Sequence, residues 1–196
     1  MARLSPRPRA EVPELEAELE FCAEFLGFVP NDVLTMAHLP GLVSAFTQLC
    51  RAVYQVPGVD PGLMQLIGTI VSWAAGCRYC TAHMAQTAPR FGVTQEKIDA
   101  LWEFERNELF SDAERAALRV AFAAGQSPSA VTDAEVQALQ AHFDAAAIAQ
   151  IFAVIGLFGF LNRWNDSLAT TLEAAPLEYG SRHLGSTTWD PGKHMK

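Results

Sequence analysis

The chain has 196 residues, half of them hydrophobic and 18% charged. A chain of that kind buries about 70% of the surface it would expose unfolded, which excludes a disordered body. Its 13 glycines and 11 prolines follow no period, against a collagen-like or low-complexity reading, and 14 basic against 22 acidic residues leave a net charge of −8 that disfavours a phosphate backbone as partner.

Residues 1–12 read as an N-terminal arm. Arg3, Arg7 and Arg9 are followed by the acidic stretch Glu11–Glu24 rather than an apolar run, so no secretory leader is expected. Glu14–Phe25 places apolar residues three and four apart, as an amphipathic helix does. Gly27 and Pro30 end it. Asn31 or Asp32 can cap a second helix, Val33–His38, before Pro40, and Leu42–Val56 reads as a third. Asp60-Pro61 combines an N-cap with proline at the first helical position. It opens Gly62–Ala75, which is apolar on nearly every side. Gly76 interrupts, and a new helix begins at the cysteines and runs to about Arg90.

Thr94 can cap a helix Gln95–Asn107. Ser111 with Glu114, and Thr132 with Glu135, are capping boxes that start helices 112–124 and 133–143. The last long helix is expected over Ala145–Glu173. Gly156 and Gly159 within it suggest close packing on their face. Its most apolar stretch, Ile148–Leu161, is shorter than the roughly 18 residues a membrane span needs, so it is expected to be a buried core helix in a cytoplasmic protein, with no membrane partner. No alternating strand is found. The fold class is therefore all-α, with a helical domain over 13–175 and an extended C-terminal tail over 176–196.

The four cysteines divide by spacing. Cys22 and Cys50 are isolated in apolar helical contexts and read as small core hydrophobes. Cys77 and Cys80 form a Cys-x-x-Cys pair inside Gly76–His83, G-C-R-Y-C-T-A-H. On a helix, Cys77, Cys80 and His83 follow one another at three-residue steps, each beside the next. Orphan N–H groups at a helix start favour a thiolate, and His83 can take or return its proton. The pair suits a dithiol that closes to a disulfide after one thiolate attacks an oxidant. Zinc is the competing reading, with His38, His142 or His183 as a distant fourth ligand. A buried pair of inert thiols is the bland one.

The segment Gln65–His83, QLIGTIVSWAAGCRYCTAH, resembles the carboxymuconolactone decarboxylase / alkylhydroperoxidase D superfamily, with Thr35–Tyr54 and Phe158–Leu172 similar to the flanking helices of longer members. The resemblance implies an alkylhydroperoxidase D-like helical bundle. It implies a thiol-dependent peroxidase in which Cys80 attacks the hydroperoxide, Cys77 resolves it and His83 relays protons, with no metal or organic cofactor. It further implies a dithiol, lipoyl-type or thioredoxin-like reductant and a homo-oligomer, dimeric, trimeric or hexameric. Relatives with the cysteine pair differ from the lactone decarboxylases proper, which generally lack it.

Two departures stand out. Where redox members carry a glutamate twelve residues before the first cysteine, this chain has Gln65; and Met84 stands where alkylhydroperoxidase D has its relay histidine, with His83 one residue earlier. The relay is then expected to rest on His83 alone or on a water, with Gln65 pointing at the site and Tyr79 near the thiolate. The alternatives are a lactone enzyme or a helical oligomer without efficient chemistry.

Overall fold

The computed structural model describes residues 2–184 and 189–195. Met1 of the arm, and 185–188 and 196 of the tail, lie outside the described residues. Among the described residues there are ten α-helices and no strand. The helices are α1 Glu16–Leu26, α2 Asn31–Met36, α3 Pro40–Tyr54, α4 Pro61–Ala74, α5 Arg78–Thr87, α6 Gln95–Asp99, α7 Asp112–Gly125, α8 Asp133–Gln140, α9 Ala145–Leu168 and α10 Ala174–Tyr179.

Side-chain caps start five of the ten helices. Asp60, Thr94 and Asp144 each accept a backbone N–H of the first turn they precede, and both capping boxes form. Each such cap stabilises its helix by about 1 kcal/mol. Gly27, at φ 92°, closes α1 in the left-handed conformation expected of a C-terminal glycine.

α4 is the centre of the bundle. Eleven of its fourteen residues, from Gly62 to Ser72, are buried. It packs against α7, α5 and α9. α9 is long and apolar enough to match a membrane span by length and composition. One side of it is buried through Ile151, Val154, Phe158, Leu161 and Asn165 against the neighbouring helices.

Several expectations change. Asn31 and Asp32 lie inside α2, whose cap is Pro30, and the Asp32 carboxylate accepts from Val33 N at 2.8 Å as part of a buried cluster. The helix expected over Gln95–Asn107 stops at Asp99 and tightens into a 3-10 turn, Leu101–Glu103, which buries Ile98 and Leu101 three residues apart. Gly156 and Gly159 face open space: an added Cβ would meet nothing within 4 Å at Gly156 and only Arg163 Nη1 at 3.7 Å at Gly159. Close approaches occur instead at other glycines, Gly68 of α4 and Gly125 of α7 among them.

The C-terminal segment is not extended. α9 ends at Leu168, Ala169 takes a left-handed conformation at φ 50°, and Thr170–Glu173 turn back before α10. A π-helical turn, Gly180–Leu184, and a 3-10 turn, Gly192–His194, follow. Trp189 and His194 are buried, and the Trp189 indole N–H donates to Arg78 O at 3.2 Å. The apolar surface of Leu172, Leu184 and Trp189 supplies the reason, since all three join the core. The arm is also docked: Arg3 N donates to Leu168 O and Arg7 N to Leu34 O.

Gly125 tests the centre of this packing. A Cβ there would lie 2.6 Å from Val71 O and 2.7 Å from Ala74 Cβ, so α7 and α4 would have to move apart. Gly125→Ala should destabilise the protein by about 1–3 kcal/mol, read as a lower midpoint of guanidinium unfolding with an unchanged slope.

Candidate active site

The turn between α4 and α5 sets the site. Gly76 sits at φ 75°, and Cys77 N donates back to Ser72 O at 3.0 Å, so the chain reverses tightly out of α4. Cys77 caps α5 and its carbonyl accepts from Thr81 N at 3.1 Å. Cys80 therefore lies in the first turn of α5, where the helix N–H groups favour negative charge.

Cys80 opens onto a cavity of about 80 Å³ between α1, α2, α3, α5 and α9. Its wall is largely apolar and aromatic, with Phe21, Phe25, Phe46 and Phe158, and the polar side chains reaching it include Asp32 and His83. Cys77 is not among the lining residues described. The two thiols are 0% and 2% exposed. Burial, the neighbouring Cys77 thiol and the Asp32 charge push the Cys80 thiol well above its ordinary range, while the Asn165 amide draws it the other way.

His83 has both ring nitrogens committed. Nδ1 lies 2.9 Å from Tyr79 O, which can only accept, so Nδ1 carries a proton. Nε2 lies 2.7 Å from Glu173 Oε2, a charge contact set obliquely to the ring N–H direction. A neutral imidazole would set a lone pair against the carboxylate there, so the pair is an imidazolium and a carboxylate. Burial pulls His83 down, but Glu173, Asp32 and the Tyr79 carbonyl overcome it and hold its pKa above the ordinary 6.5. Burial pushes Glu173 up, but His83 and the N–H of Asn31 overcome that and hold it below 4.5.

Glu173 is well held. Its Oε1 accepts from Asn31 N and, at 2.9 Å, from the Tyr79 hydroxyl. The strand-like turn carrying it is tied down by the C-terminus: Leu172 N donates to His194 O and His194 Nδ1 donates to Thr170 O, each at 2.8 Å. Tyr79 stacks on His83 with ring centroids 4.0 Å apart. It receives Asp32 N–H at 3.3 Å. Its hydroxyl thus serves Glu173 rather than the thiolate.

Gln65 makes no hydrogen bond to His83. It is fully buried in α4, its side-chain amide has no hydrogen-bond partner among the described residues, and it is absent from the described cavity wall. The carboxylate comes instead from Glu173, which the expected continuation of α9 had placed inside a helix. Asp32 and Asn165 are two further polar residues at the site that the sequence reading passed over. Asn165 lies in the polar run Asn162–Ser167 just past the apolar stretch of α9, where nothing local sets it apart from its neighbours.

Cys22 and Cys50 also line the cavity. Burial first, and then nearby acidic groups, push the Cys22 thiol up to about 12 and the Cys50 thiol up as well, so both stay protonated, as core hydrophobes would. His38 bonds Ser5 O at 2.9 Å and His183 faces Asp99 at 4.0 Å, so neither joins the cysteines. Among the described residues, no cluster of three or more metal-ligating side chains occurs.

The family model for the carboxymuconolactone decarboxylase family matches residues 40–123, which include the cysteine turn. The chain belongs to that family. It is 36% identical to the debrominase Bmp8 in its apo crystal structure, with a TM-score of 0.86 and coverage of 90% of this chain and 95% of that one. A cysteine-to-alanine variant of Bmp8 in complex with 2,3,4-tribromopyrrole superposes with a TM-score of 0.88 at 35% identity, over 91% of this chain and 96% of that one. A peroxidase-related protein from Ralstonia eutropha JMP134, described as an alkylhydroperoxidase AhpD core, shares the fold at a TM-score of 0.76 and 23% identity, over 90% of this chain and 94% of that one. The uncharacterized protein YnjA of Escherichia coli (strain K12) is 32% identical over 110 residues, 56% of this chain. The matched region spans 60% of the length of that curated relative.

The ion pair gives a pH signature. A lowered carboxylate pKa contributes stability above about 4.5 that is lost as pH falls through the lowered value, and a raised histidine pKa contributes stability below 6.5 that is lost as pH rises through the raised value. The stability difference between wild type and Glu173→Gln should therefore be greatest between those two values and shrink on the alkaline side. In an NMR titration the His83 midpoint should lie above 6.5 in the wild type and fall in Glu173→Gln.

Proposed function

We propose that this protein is a thiol-dependent reductase that carries out two-electron reductions through a Cys77/Cys80 dithiol–disulfide cycle, with a small organic hydroperoxide as the substrate class. The observation that carries the reading is the arrangement of the thiols: Cys80 faces an aromatic cavity, and Cys77 stands one helical turn away outside the described cavity wall. The Cys80 thiolate attacks the outer peroxide oxygen, an S–O bond forms, the O–O bond breaks, and the alkoxide takes a proton to leave as alcohol. The Cys77 sulfur then displaces water from the Cys80 sulfenic acid, closing the disulfide. An external dithiol of lipoyl or thioredoxin type reopens it.

The His83–Glu173 pair beside the cavity supports the proton step. An imidazolium held at the wall stabilises the departing alkoxide by its charge and can release the Nε2 proton, whose oblique contact with Glu173 is not a formed hydrogen bond. This answers the absence of a carboxylate at Gln65, which otherwise favours a helical oligomer without efficient chemistry. No step needs a metal or organic cofactor.

A second reading is favoured by the aromatic wall together with the similarity to Bmp8 over nearly the whole chain. In it the Cys80 thiolate attacks the halogen of a halogenated aromatic ring, the carbanion left behind takes a proton, and Cys77 displaces halide to close the same disulfide. Both readings consume two thiols and deliver two electrons.

Exposed Phe122 and Phe160 on α7 and α9, beside the open faces of Gly156 and Gly159, support assembly as a homo-oligomer. Light scattering at micromolar concentration should give a multiple of the chain mass; a monomer overturns this.

Cumene hydroperoxide should convert the two thiols to one intramolecular disulfide, seen by mass spectrometry. Cys80→Ser should abolish turnover and Cys77→Ser should leave a sulfenic acid on Cys80 that dimedone traps. If the thiols survive excess hydroperoxide but a bromopyrrole releases bromide and closes the disulfide, dehalogenation is the correct reading. If neither reagent oxidises the pair, the redox proposal fails.

A further inference from the structure

His83 is the expected proton partner of Cys80, yet its ring nitrogens are taken by Tyr79 O and Glu173. The contact that does reach the sulfur comes from α9. Asn165 Nδ2 lies 3.4 Å from Cys80 Sγ and 3.0 Å from Asp32 Oδ2. Asn165 is 0% exposed and Asp32 is 7% exposed.

We propose that Asn165 is a catalytic residue that stabilises the Cys80 thiolate as it forms, through its amide N–H, and that Asp32 is the positioning residue that aims that amide. The inference rests on the dithiol reading above and adds the groups that make its nucleophile.

The geometry fixes which end of the amide faces the sulfur. An amide can be turned either way, and its neighbours decide. Asp32 Oδ2 receives an N–H from it, and Asp32 Oδ1 is already engaged by Val33 N. Turning the amide would set its oxygen against the carboxylate oxygen. The NH2 group carries two protons, one for Asp32 and one for Cys80. A donor gains strength when the sulfur ionises, so it favours the thiolate over the thiol.

The Cys77 thiol is the other side-chain hydrogen-bond partner of this sulfur and pushes Cys80 up, so Asn165 is the side-chain partner that draws it down. α4, which packs against α5, has no titratable residue over Pro61–Ala74. On α9, Arg163 bonds Gly159 O and Asp166 pairs with Lys193. The titratable groups nearest the sulfur are Cys77, Asp32, Tyr79 and His83; Glu173 is engaged by His83, and across the cavity stand Cys22, Cys50 and Tyr54. Most of these are neutral or anionic, so an oriented N–H has an effect that the surroundings do not duplicate.

The test is the pH dependence of Cys80 alkylation by iodoacetamide in a Cys77→Ser background, which reads the thiolate alone and needs no turnover. Asn165→Leu should move the midpoint up by about one pH unit or more, a roughly tenfold slower alkylation at neutral pH, one unit being a factor of ten in thiolate. Asp32→Asn keeps an acceptor oxygen for the amide and removes the carboxylate charge, so its midpoint should stay or fall. Asn165→Ala repeats the first measurement with less crowding if the leucine variant does not fold. An unchanged midpoint in the Asn165 variants overturns the proposal, as does an upward shift in Asp32→Asn equal to theirs. Because no oxidant is used, failure here leaves the dithiol reading standing, and failure of disulfide formation leaves this one standing.

Discussion

The rest of the site depends on one buried ion pair, His83 with Glu173. Two charges removed from water cost several kcal/mol each unless their remaining hydrogen-bonding capacity is filled. Here Tyr79 O takes the far imidazole N–H, and Asn31 N with the Tyr79 hydroxyl serves Glu173 Oε1, which leaves Nε2 and Oε2 to face each other as the charge contact. The partners come from α2, α5 and the turn before α10. The pair therefore requires three distant parts of the chain to be in place at once, and the C-terminal residues that fix the Thr170–Glu173 turn become part of the site.

This also explains how the chain manages with Gln65. A carboxylate at position 65 would be fully buried where the Gln65 amide itself has no hydrogen-bond partner among the described residues. The acidic group is supplied from the end of α9 instead. Ala169, in a conformation that non-glycine residues rarely adopt, makes this possible by stopping the helix short of Glu173.

Sequence periodicity and caps made the helices legible because both are local. Ser111 with Glu114 and Thr132 with Glu135 act within one turn, and the Gly-Cys-x-Tyr-Cys turn announces its chemistry in a few residues. The rest was hidden by distance. Tyr79 and Glu173 meet across 94 residues, Asn165 and Cys80 across 85. A glutamate near the end of an apolar helix reads as an ordinary solvated terminus, and only the turn at Ala169 redirects it. The tail read as extended because short polar residues dominate it; Trp189 and His194 become buried through the arrangement of α5 and α10, which no local pattern records.

Charge counting joins the two arms of the site. His83 and Glu173 together are neutral. Burial raises the Asp32 carboxyl, with His83 and Asn165 opposing only in part, and its charge adds to the cost of an anion at Cys80. A Cys80 thiolate then adds one uncompensated negative charge to an apolar cavity, which is why burial raises that thiol so far. Such an anion is short-lived at rest and is best formed as the substrate accepts its electrons. The negative charge then passes from sulfur to the departing alkoxide or carbanion, and the imidazolium beside the cavity is the cation available to neutralise it. A site arranged this way keeps its thiol quiet until a substrate that can take both electrons and a proton fills the cavity.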